Sequence, residues 1–100
     1  MAAEKNFEKR IKKYLKDNNC WYCKNFANAY TKSGIPDILA CVNGKFIAIE
    51  VKAQNGRATE LQLRNQKQIQ DAGGIAYILF PSQFEKFKSE INGLLQEASN

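Results

Sequence analysis

The sequence contains no histidine. This absence excludes mechanisms that need an imidazole base, including Ser-His-Asp and Cys-His arrangements, and it excludes zinc sites that combine cysteine with histidine. Any general acid–base chemistry must therefore come from carboxylates, lysine, tyrosine or metal-bound water.

Cysteine is scarce and odd in number, since the chain has only Cys20, Cys23 and Cys41. An odd number this small does not make a disulfide framework. Cys20 and Cys23 form a Cys-x-x-Cys pair, but the pair follows a predicted helix and lies in a predicted strand, whereas a redox pair opens a helix. No second cysteine pair completes a zinc site. We therefore expect Cys20 and Cys23 to be ordinary buried or half-buried cysteines.

Long apolar runs are also missing. The longest, such as residues 75–80, fit buried strands and are too short to span a bilayer, so we expect no membrane partner. Residues 1–10 are charged and lack the apolar segment of a secretory signal, which predicts a cytoplasmic protein. A chain of 100 residues predicts a single domain over residues 1–100.

The net charge of +5 lies entirely in the first third of the chain. Residues 33–100 contain equal numbers of basic and acidic residues, whereas residues 1–32 contain only Glu4, Glu8 and Asp17 as acids. The basic residues there are Lys5, Lys9, Arg10, Lys12, Lys13, Lys16, Lys24 and Lys32. A one-sided basic surface suggests a polyanion partner. A solvated helix face that aids solubility explains the charge equally well.

Hydrophobic periodicity predicts the order of helices and strands. Apolar residues recur at helical spacing in residues 3–17, in a second helix to about residue 72, and in a helix after Pro81. Residues 20–27, 37–42, 45–53 and 75–80 read as strands. Thr59 with Gln62, and Ser82 with Glu85, match the capping-box pattern at two helix starts. The order α-β-β-β-α-β-α predicts an α/β fold, a mixed sheet flanked by helices.

Two carboxylates and a lysine are predicted to meet on the central hairpin. Period-two alternation places Glu50 and Lys52 on one face of their strand. Asn43-Gly44 is the strongest short signal for a two-residue hairpin turn, and it pairs residue 42 with residue 45. Counting outward from that pair, Asp37 lies opposite Glu50, where cross-strand Cβ atoms are about 4.5–5.5 Å apart.

Facing carboxylates repel, and a divalent cation between them removes the repulsion. Mg²⁺ and Mn²⁺ prefer oxygen ligands, and water bound to such ions loses a proton more readily. Lys52 can orient that water or stabilise charge that develops on phosphorus. A surface hairpin with an acid pair and a Lys salt bridge is the alternative, and we favour the metal site because three residues coincide in register.

The segments 33–37 (Ser-Gly-Ile-Pro-Asp) and 46–52 (Phe-Ile-Ala-Ile-Glu-Val-Lys), with Gln62 and Gly73-Gly74, resemble the VRR-NUC branch of the PD-(D/E)XK nuclease superfamily. That branch includes compact phage-borne nucleases and is similar to archaeal-type Holliday junction resolvases. The resemblance extends from Glu8 to about Phe80. It implies a restriction-endonuclease-like αβββαβα core, and it is compatible with a phage-encoded protein that acts in the host cytoplasm.

The resemblance also implies roles for individual residues. Asp37, Glu50 and the Val51 carbonyl would hold Mg²⁺ or Mn²⁺, while Lys52 would position or activate the attacking water. Gln62 would orient water or Lys52, although helix capping accounts for it equally well. Glu8 would assist the metal. A solvated acid paired with Lys12 is the alternative for Glu8, and Glu4 is a second candidate for its role.

These expectations describe a metal-dependent endonuclease acting on DNA, with branched DNA such as a Holliday junction as the substrate that the resemblance favours. Symmetric cleavage needs two active sites and hence a homodimer. The alternatives are a non-catalytic nucleic-acid-binding module with the same fold, a restriction or nicking nuclease on duplex DNA, and a protein-interaction domain. The expected DNA contacts are Lys9, Lys12, Lys13, Lys32, Arg57, Arg64 and Lys67.

Overall fold

A four-stranded mixed sheet with helices on both faces forms the protein, for which a computed structural model describes residues 2–26 and 33–97. The elements are α1 (Ala2–Asp17), β1 (Trp21–Lys24), β2 (Ile38–Val42), β3 (Lys45–Val51), α2 (Glu60–Asp71), β4 (Ile75–Leu79), a short 3₁₀ helix (Pro81–Gln83) and α3 (Phe84–Gln96). Their order confirms the predicted α/β architecture, a restriction-endonuclease-like core.

The central hairpin has the predicted register. Asn43 and Gly44 both have positive φ, 51° and 78°, as a type I′ turn requires. Val42 pairs with Lys45, and the antiparallel ladder continues to the pair of Ile38 and Ile49. Strand β1 pairs antiparallel with β2, and β4 pairs parallel with β3, so the strand order is β1-β2-β3-β4.

One face of the sheet packs against α1 and α3. The inward-pointing residues of β2 and β3 are aliphatic and almost fully buried, as alternation requires. They meet an apolar stripe from the two helices, made of Phe7, Ile11, Leu15, Phe84, Phe87 and Ile91. Burial of each such side chain stabilises the fold by roughly 1.5–3 kcal/mol. This core holds α1 rigidly across the sheet.

The opposite face of the sheet is covered by α2 over β3 and β4. Nearer β1, this outer face carries a cross-strand row of Trp21, Cys41 and Phe46, all exposed. Ala48 and Glu50 follow Phe46 on the same face, by strand alternation. The apolar row and the predicted catalytic acids therefore lie on one face of the sheet.

Two local expectations need correction. The Ser82–Glu85 capping box is absent: the Gln83 side chain accepts the Phe80 N–H at 3.2 Å, and the Ser82 N–H donates to the Gln54 side chain at 2.9 Å. The 3₁₀ turn moves the start of α3, so that its N-cap is Gln83, one residue after the predicted Ser82. Strand β1 also ends at Lys24, earlier than predicted. None of the helices within residues 2–26 and 33–97 is long and apolar enough to cross a membrane.

Candidate active site

The two acidic residues predicted to face each other meet at one end of the sheet. Asp37 precedes β2, and Glu50 is the penultimate residue of β3. The ladder between β2 and β3 ends at the pair of Ile38 and Ile49. Just beyond it, the side chain of Asp37 accepts the Val51 N–H through Oδ2 at 2.8 Å. Glu50 is only 6% exposed. The structure thus brings together both carboxylates that the register argument selected.

Lys52 and Gln62 both contact Glu50. Lys52 Nζ lies 3.6 Å from Glu50 Oε2, and both side chains are largely buried. Gln62 Nε2 donates to the same Oε2 at 3.0 Å. One carboxylate oxygen therefore receives a cation and an amide donor from two different elements. This leaves the rest of the Glu50 carboxylate for other partners.

Gln62 caps α2 and also contacts Glu50, while its predicted part in orienting water or Lys52 stays a prediction. Its Oε1 accepts the Thr59 N–H at 2.9 Å, while Thr59 Oγ1 accepts the Gln62 N–H at 3.1 Å, which completes the capping box of α2. Its Nε2 is then free to donate to Glu50. Because the cap fixes the orientation of the Gln62 amide, the hydrogen bond from Gln62 holds Glu50 next to the start of α2.

A close backbone approach positions α2 over the site. Gly34 has φ of +80°, and a Cβ there would lie 2.7 Å from Asn65 Nδ2 and 2.8 Å from Leu61 Cγ. Buried Asn65 donates to the Leu61 carbonyl at 2.9 Å and to the Ser33 carbonyl at 3.4 Å. Only glycine satisfies both the left-handed backbone and this contact. The loop before Asp37 is therefore locked against the helix that carries Gln62.

Burial and the neighbouring Asp37 change the proton affinity of Glu50. Burial, the negative charge of Asp37 and a hydrogen bond with Asp37 together raise the pKa of Glu50 to about 8, although Lys52 opposes the shift. Without a cation, Glu50 therefore retains a proton at neutral pH. A divalent ion would replace that proton, as metal ions generally do at carboxylate sites.

Glu8 lies near this pair but is held by lysines. Lys24 Nζ is 2.7 Å from Glu8 Oε1 and 3.7 Å from Asp37 Oδ1, while Lys12 Nζ is 3.1 Å from Glu8 Oε2. Burial alone would raise the pKa of Glu8, but the hydrogen bonds to Lys24 and Lys12 outweigh it and hold that pKa below its ordinary value. Lys24 thus connects Glu8 with Asp37, and the predicted i,i+4 pair with Lys12 is present.

The donor set suits a hard divalent cation that keeps several waters. Within the described residues, no three acidic, cysteine or histidine side chains form a ready-made metal cage. Two adjacent carboxylates remain, with the main chain of Val51 beside Asp37. Mg²⁺ is commonly bound by one or two carboxylates and retained waters, with substrate phosphate completing the shell. Asp37 and Glu50 fit that pattern, and Glu8 stays a prediction as a further ligand.

The basic residues predicted to contact DNA are distributed over several surfaces. Lys9 and Lys13 on α1 are exposed, and Lys13 pairs with Asp17 at 2.8 Å. Arg64 and Lys67 lie with Leu63 along the outer side of α2, and Lys67 pairs with Asp71. Arg57 is exposed in the loop before α2. Lys32 lies outside the described residues.

The cleft beside the acids contains Lys24, which was not predicted as a site residue. It is lined by Lys24, Asn25, Phe26, Gly34, Ile35, Asp37, Glu50 and Gln62. Lys24 had been counted only as part of the basic excess, yet it is the basic residue nearest Asp37 in the lining. A strand with one lysine at its end, preceding the loop to Asp37, was the available signal.

The fold, with an acid before one hairpin strand and a Glu-x-Lys on the next, defines a PD-(D/E)XK nuclease-like domain. A family model described as archaeal Holliday junction resolvase (hjc) matches residues 2–81. The chain belongs to this family. A comparison with curated proteins finds no match.

Proposed function

We propose that this protein is a metal-dependent endonuclease that hydrolyses phosphodiester bonds in branched DNA, with four-way junctions as its principal substrate. The observation that carries the proposal is the juxtaposition of Asp37 and Glu50 across the hairpin, with Lys52 and Gln62 both on Glu50. Membership of a family described as Holliday junction resolvases supports the choice of substrate.

Each residue has a distinct part in this proposal. Asp37 and Glu50 would hold Mg²⁺ or Mn²⁺ with the Val51 carbonyl, and Glu8 remains a candidate helper. The bound ion would supply the positive charge that activates water and stabilises the phosphorane-like charge. Lys52, 3.6 Å from Glu50, would orient the attacking water on the side of the phosphate opposite the leaving oxygen. Cleavage would leave a 5′-phosphate and a 3′-hydroxyl.

Gln62 acts on Glu50 rather than on the phosphate in this proposal. Its amide is fixed at one end by the Thr59 N–H and donates to Glu50 at the other. It therefore holds the carboxylate in one rotamer, which is how groups behind a metal ligand sustain its geometry. The basic residues at Lys9, Lys12, Lys13, Lys32, Arg57, Arg64 and Lys67 would neutralise phosphates on the DNA arms.

Cleavage of a four-way junction should require Mg²⁺ or Mn²⁺ and should stop when EDTA is added, because EDTA removes the divalent ion that would activate the attacking water. The measurement is a panel of end-labelled linear duplex, single strand, flap and four-way junction, with the product ends mapped. Preference for the junction supports a resolvase.

The same panel separates the alternatives. Equal nicking of linear duplex would indicate a restriction-like or nicking enzyme. Tight junction binding without cleavage under any divalent ion would indicate a non-catalytic binding module. Cleavage that persists in EDTA would exclude the metal mechanism.

A homodimer forms part of the proposal, because one site cuts one strand and a junction needs two symmetric cuts. The outer sheet face supplies a suitable surface. Trp21 is 63% exposed and Phe46 is 46% exposed, in one cross-strand row with Cys41. That row lies roughly 13 Å along the strand from Glu50, on the same face. Two copies joined there by a two-fold axis would present both active sites on one side.

Trp21→Glu should convert the dimer into a monomer and uncouple the two incisions, because it buries a charge in the apolar interface. Sedimentation velocity measures the oligomer, and a cruciform plasmid measures coupling: wild type gives linear product and the variant gives nicked circles. Leu63→Glu is the matched control, since Leu63 is 48% exposed on the outer side of α2. Dissociation by the Leu63 variant alone would move the interface to α2.

The branch of the superfamily and the origin of the protein are proposed from the sequence motifs alone. Residues 33–37 and 46–52 support placement near the VRR-NUC branch, and a phage-encoded origin goes with that branch. A single nuclease domain over residues 1–100 and a cytoplasmic location, where DNA junctions are accessible, fit the same function.

A further inference from the structure

Lys24, the last residue of β1, forms ion pairs with two acids from different parts of the fold. Its ammonium lies between α1 and the central hairpin, 2.7 Å from Glu8 Oε1 and 3.7 Å from Asp37 Oδ1. The side chain is 24% exposed. This one cation therefore contacts both Glu8 and Asp37.

Lys24 approaches the oxygen of Asp37 that is more available to a metal. Asp37 Oδ2 already accepts the Val51 N–H at 2.8 Å, so Oδ1 is the more available oxygen for coordination. Lys24 faces that oxygen. A divalent ion and an ammonium within a few ångströms of each other repel strongly at a partly buried site. The two cations therefore compete for Asp37.

Glu8 provides a second anchor for the displaced lysine. Its contact to Lys24 is shorter by 1.0 Å than that of Asp37, from 2.7 and 3.7 Å. Glu8 belongs to α1, whose position is fixed by the buried Phe7, Ile11 and Leu15. Lys24 can thus release Asp37 without losing its ion pair to Glu8.

We propose that Lys24 is a built-in counter-cation of the active site, which neutralises Asp37 before the metal binds and withdraws onto Glu8 when the divalent ion arrives. This inference rests on the proposed function and adds a residue that sets metal affinity. Glu8 then acts on the metal indirectly, by holding Lys24 away from Asp37, and Lys24 is a positioning residue.

Direct measurement of Mn²⁺ binding without DNA tests the proposal. Lys24→Met keeps the aliphatic stem and removes the charge, so it should tighten Mn²⁺ binding by about ten-fold in titration calorimetry. Lys24→Arg keeps a cation and should bind Mn²⁺ weakly, like wild type. Lys12→Met is the matched control, since Lys12 also pairs with Glu8 but has no ion pair with Asp37. An equal gain in Mn²⁺ affinity in both methionine variants would show that any nearby loss of positive charge has this effect, and it would overturn the proposal.

A double-mutant cycle separates indirect from direct action of Glu8. Glu8→Gln should weaken Mn²⁺ binding in the wild-type background, because Lys24 then rests on Asp37 alone. In the Lys24→Met background the same substitution should have no effect. A loss that persists there would make Glu8 a metal ligand and overturn its indirect role.

The cycle also distinguishes this inference from the proposed function. Mn²⁺ binding that Asp37→Asn abolishes, with no gain from Lys24→Met, would overturn only the role of Lys24. Absence of Mn²⁺ binding by the wild type, or binding that Asp37→Asn leaves unchanged, would overturn both. Circular dichroism melts verify that each variant folds, and Lys24→Gln, which is also neutral, replaces the methionine variant if that variant does not fold.

Discussion

Asp37→Asn should abolish junction cleavage, by a factor of roughly 10³ or more, and leave DNA binding largely intact. The loss should exceed the 10–100-fold typical of residues that only support metal ligands, because this substitution removes one of the two carboxylates. Asparagine is isosteric and its carbonyl oxygen can still accept the Val51 N–H. The hairpin should therefore keep its register while the site loses its charge.

The measurements for Asp37→Asn are single-turnover cleavage of a four-way junction in Mn²⁺ and junction affinity by fluorescence anisotropy in EDTA. Asp71→Asn is the matched control, since Asp71 is an exposed acid at the end of α2 that forms an ion pair with Lys67. It should cleave at the wild-type rate. Wild-type cleavage by Asp37→Asn would remove Asp37 from the active site.

Junction binding by Asp37→Asn should be equal or somewhat tighter, because the substitution removes a negative charge near the expected phosphate path. This separation of binding from cleavage distinguishes a catalytic acid from a residue that maintains the fold. A parallel loss of affinity and thermal stability would instead indicate that the Asp37–Val51 hydrogen bond is essential for the hairpin.

The central hairpin was predictable because its turn fixes its register. A two-residue type I′ turn at Asn43-Gly44 permits only one pairing, so the positions of Asp37 and Glu50 followed by counting. The aliphatic alternation of β3 agreed with that register. Local turn chemistry and side-chain periodicity pointed to the same arrangement, which is why the acidic pair could be found without the structure.

Lys24 could not be placed in the same way. The connection from β1 to β2 is too long for counting outward from a two-residue turn to fix the register, so the pairing of Lys24 with Ile38 follows from tertiary packing. The proximity of Lys24 to Glu8 depends further on how α1 crosses the sheet. Both are long-range features with no local sequence signature.

Gln62 shows a different limit of sequence reasoning. Capping and active-site roles were treated as competing, yet an amide side chain has an acceptor at one atom and a donor at the other. The acceptor takes the Thr59 N–H, and the donor reaches Glu50. The contact between Gln62 and Glu50 depends on how α2 packs over β3, which sequence spacing does not show.

Glu50→Gln should abolish cleavage and, in the absence of metal, stabilise the protein at alkaline pH. The folded state raises the pKa of Glu50 from the ordinary 4.5 to about 8, chiefly by burial and by the charge of Asp37. Between those values the folded protein holds a proton that the unfolded chain releases, so wild-type stability falls as pH rises. Glutamine is neutral at every pH and avoids this loss, which is about 2–4 kcal/mol at roughly 1.4 kcal/mol per pKa unit.

Thermal melts in EDTA between about pH 5 and pH 9 measure this effect. The two proteins should melt together at the acidic end, and Glu50→Gln should melt about 8–30 °C higher at the alkaline end, at about 4–8 °C per kcal/mol for a domain of this size. Glu85→Gln is the control, since Glu85 is an exposed acid whose neutralisation should change stability little. Added Mn²⁺ should raise the melting temperature of the wild type and leave Glu50→Gln unchanged, because only the wild type can exchange its proton for a metal.

The stability gained by Glu50→Gln would measure how much the two neighbouring carboxylates destabilise the metal-free fold. A buried carboxylate beside Asp37 destabilises the metal-free protein, and no element of the core requires an acid there, since Gln62 and Lys52 reach Glu50 only through its carboxylate. A site that destabilises its own fold is typical of functional residues. Superimposable pH profiles for wild type and Glu50→Gln would show that Glu50 is not protonated in the fold, and the repulsion from which a bound cation is inferred would be absent.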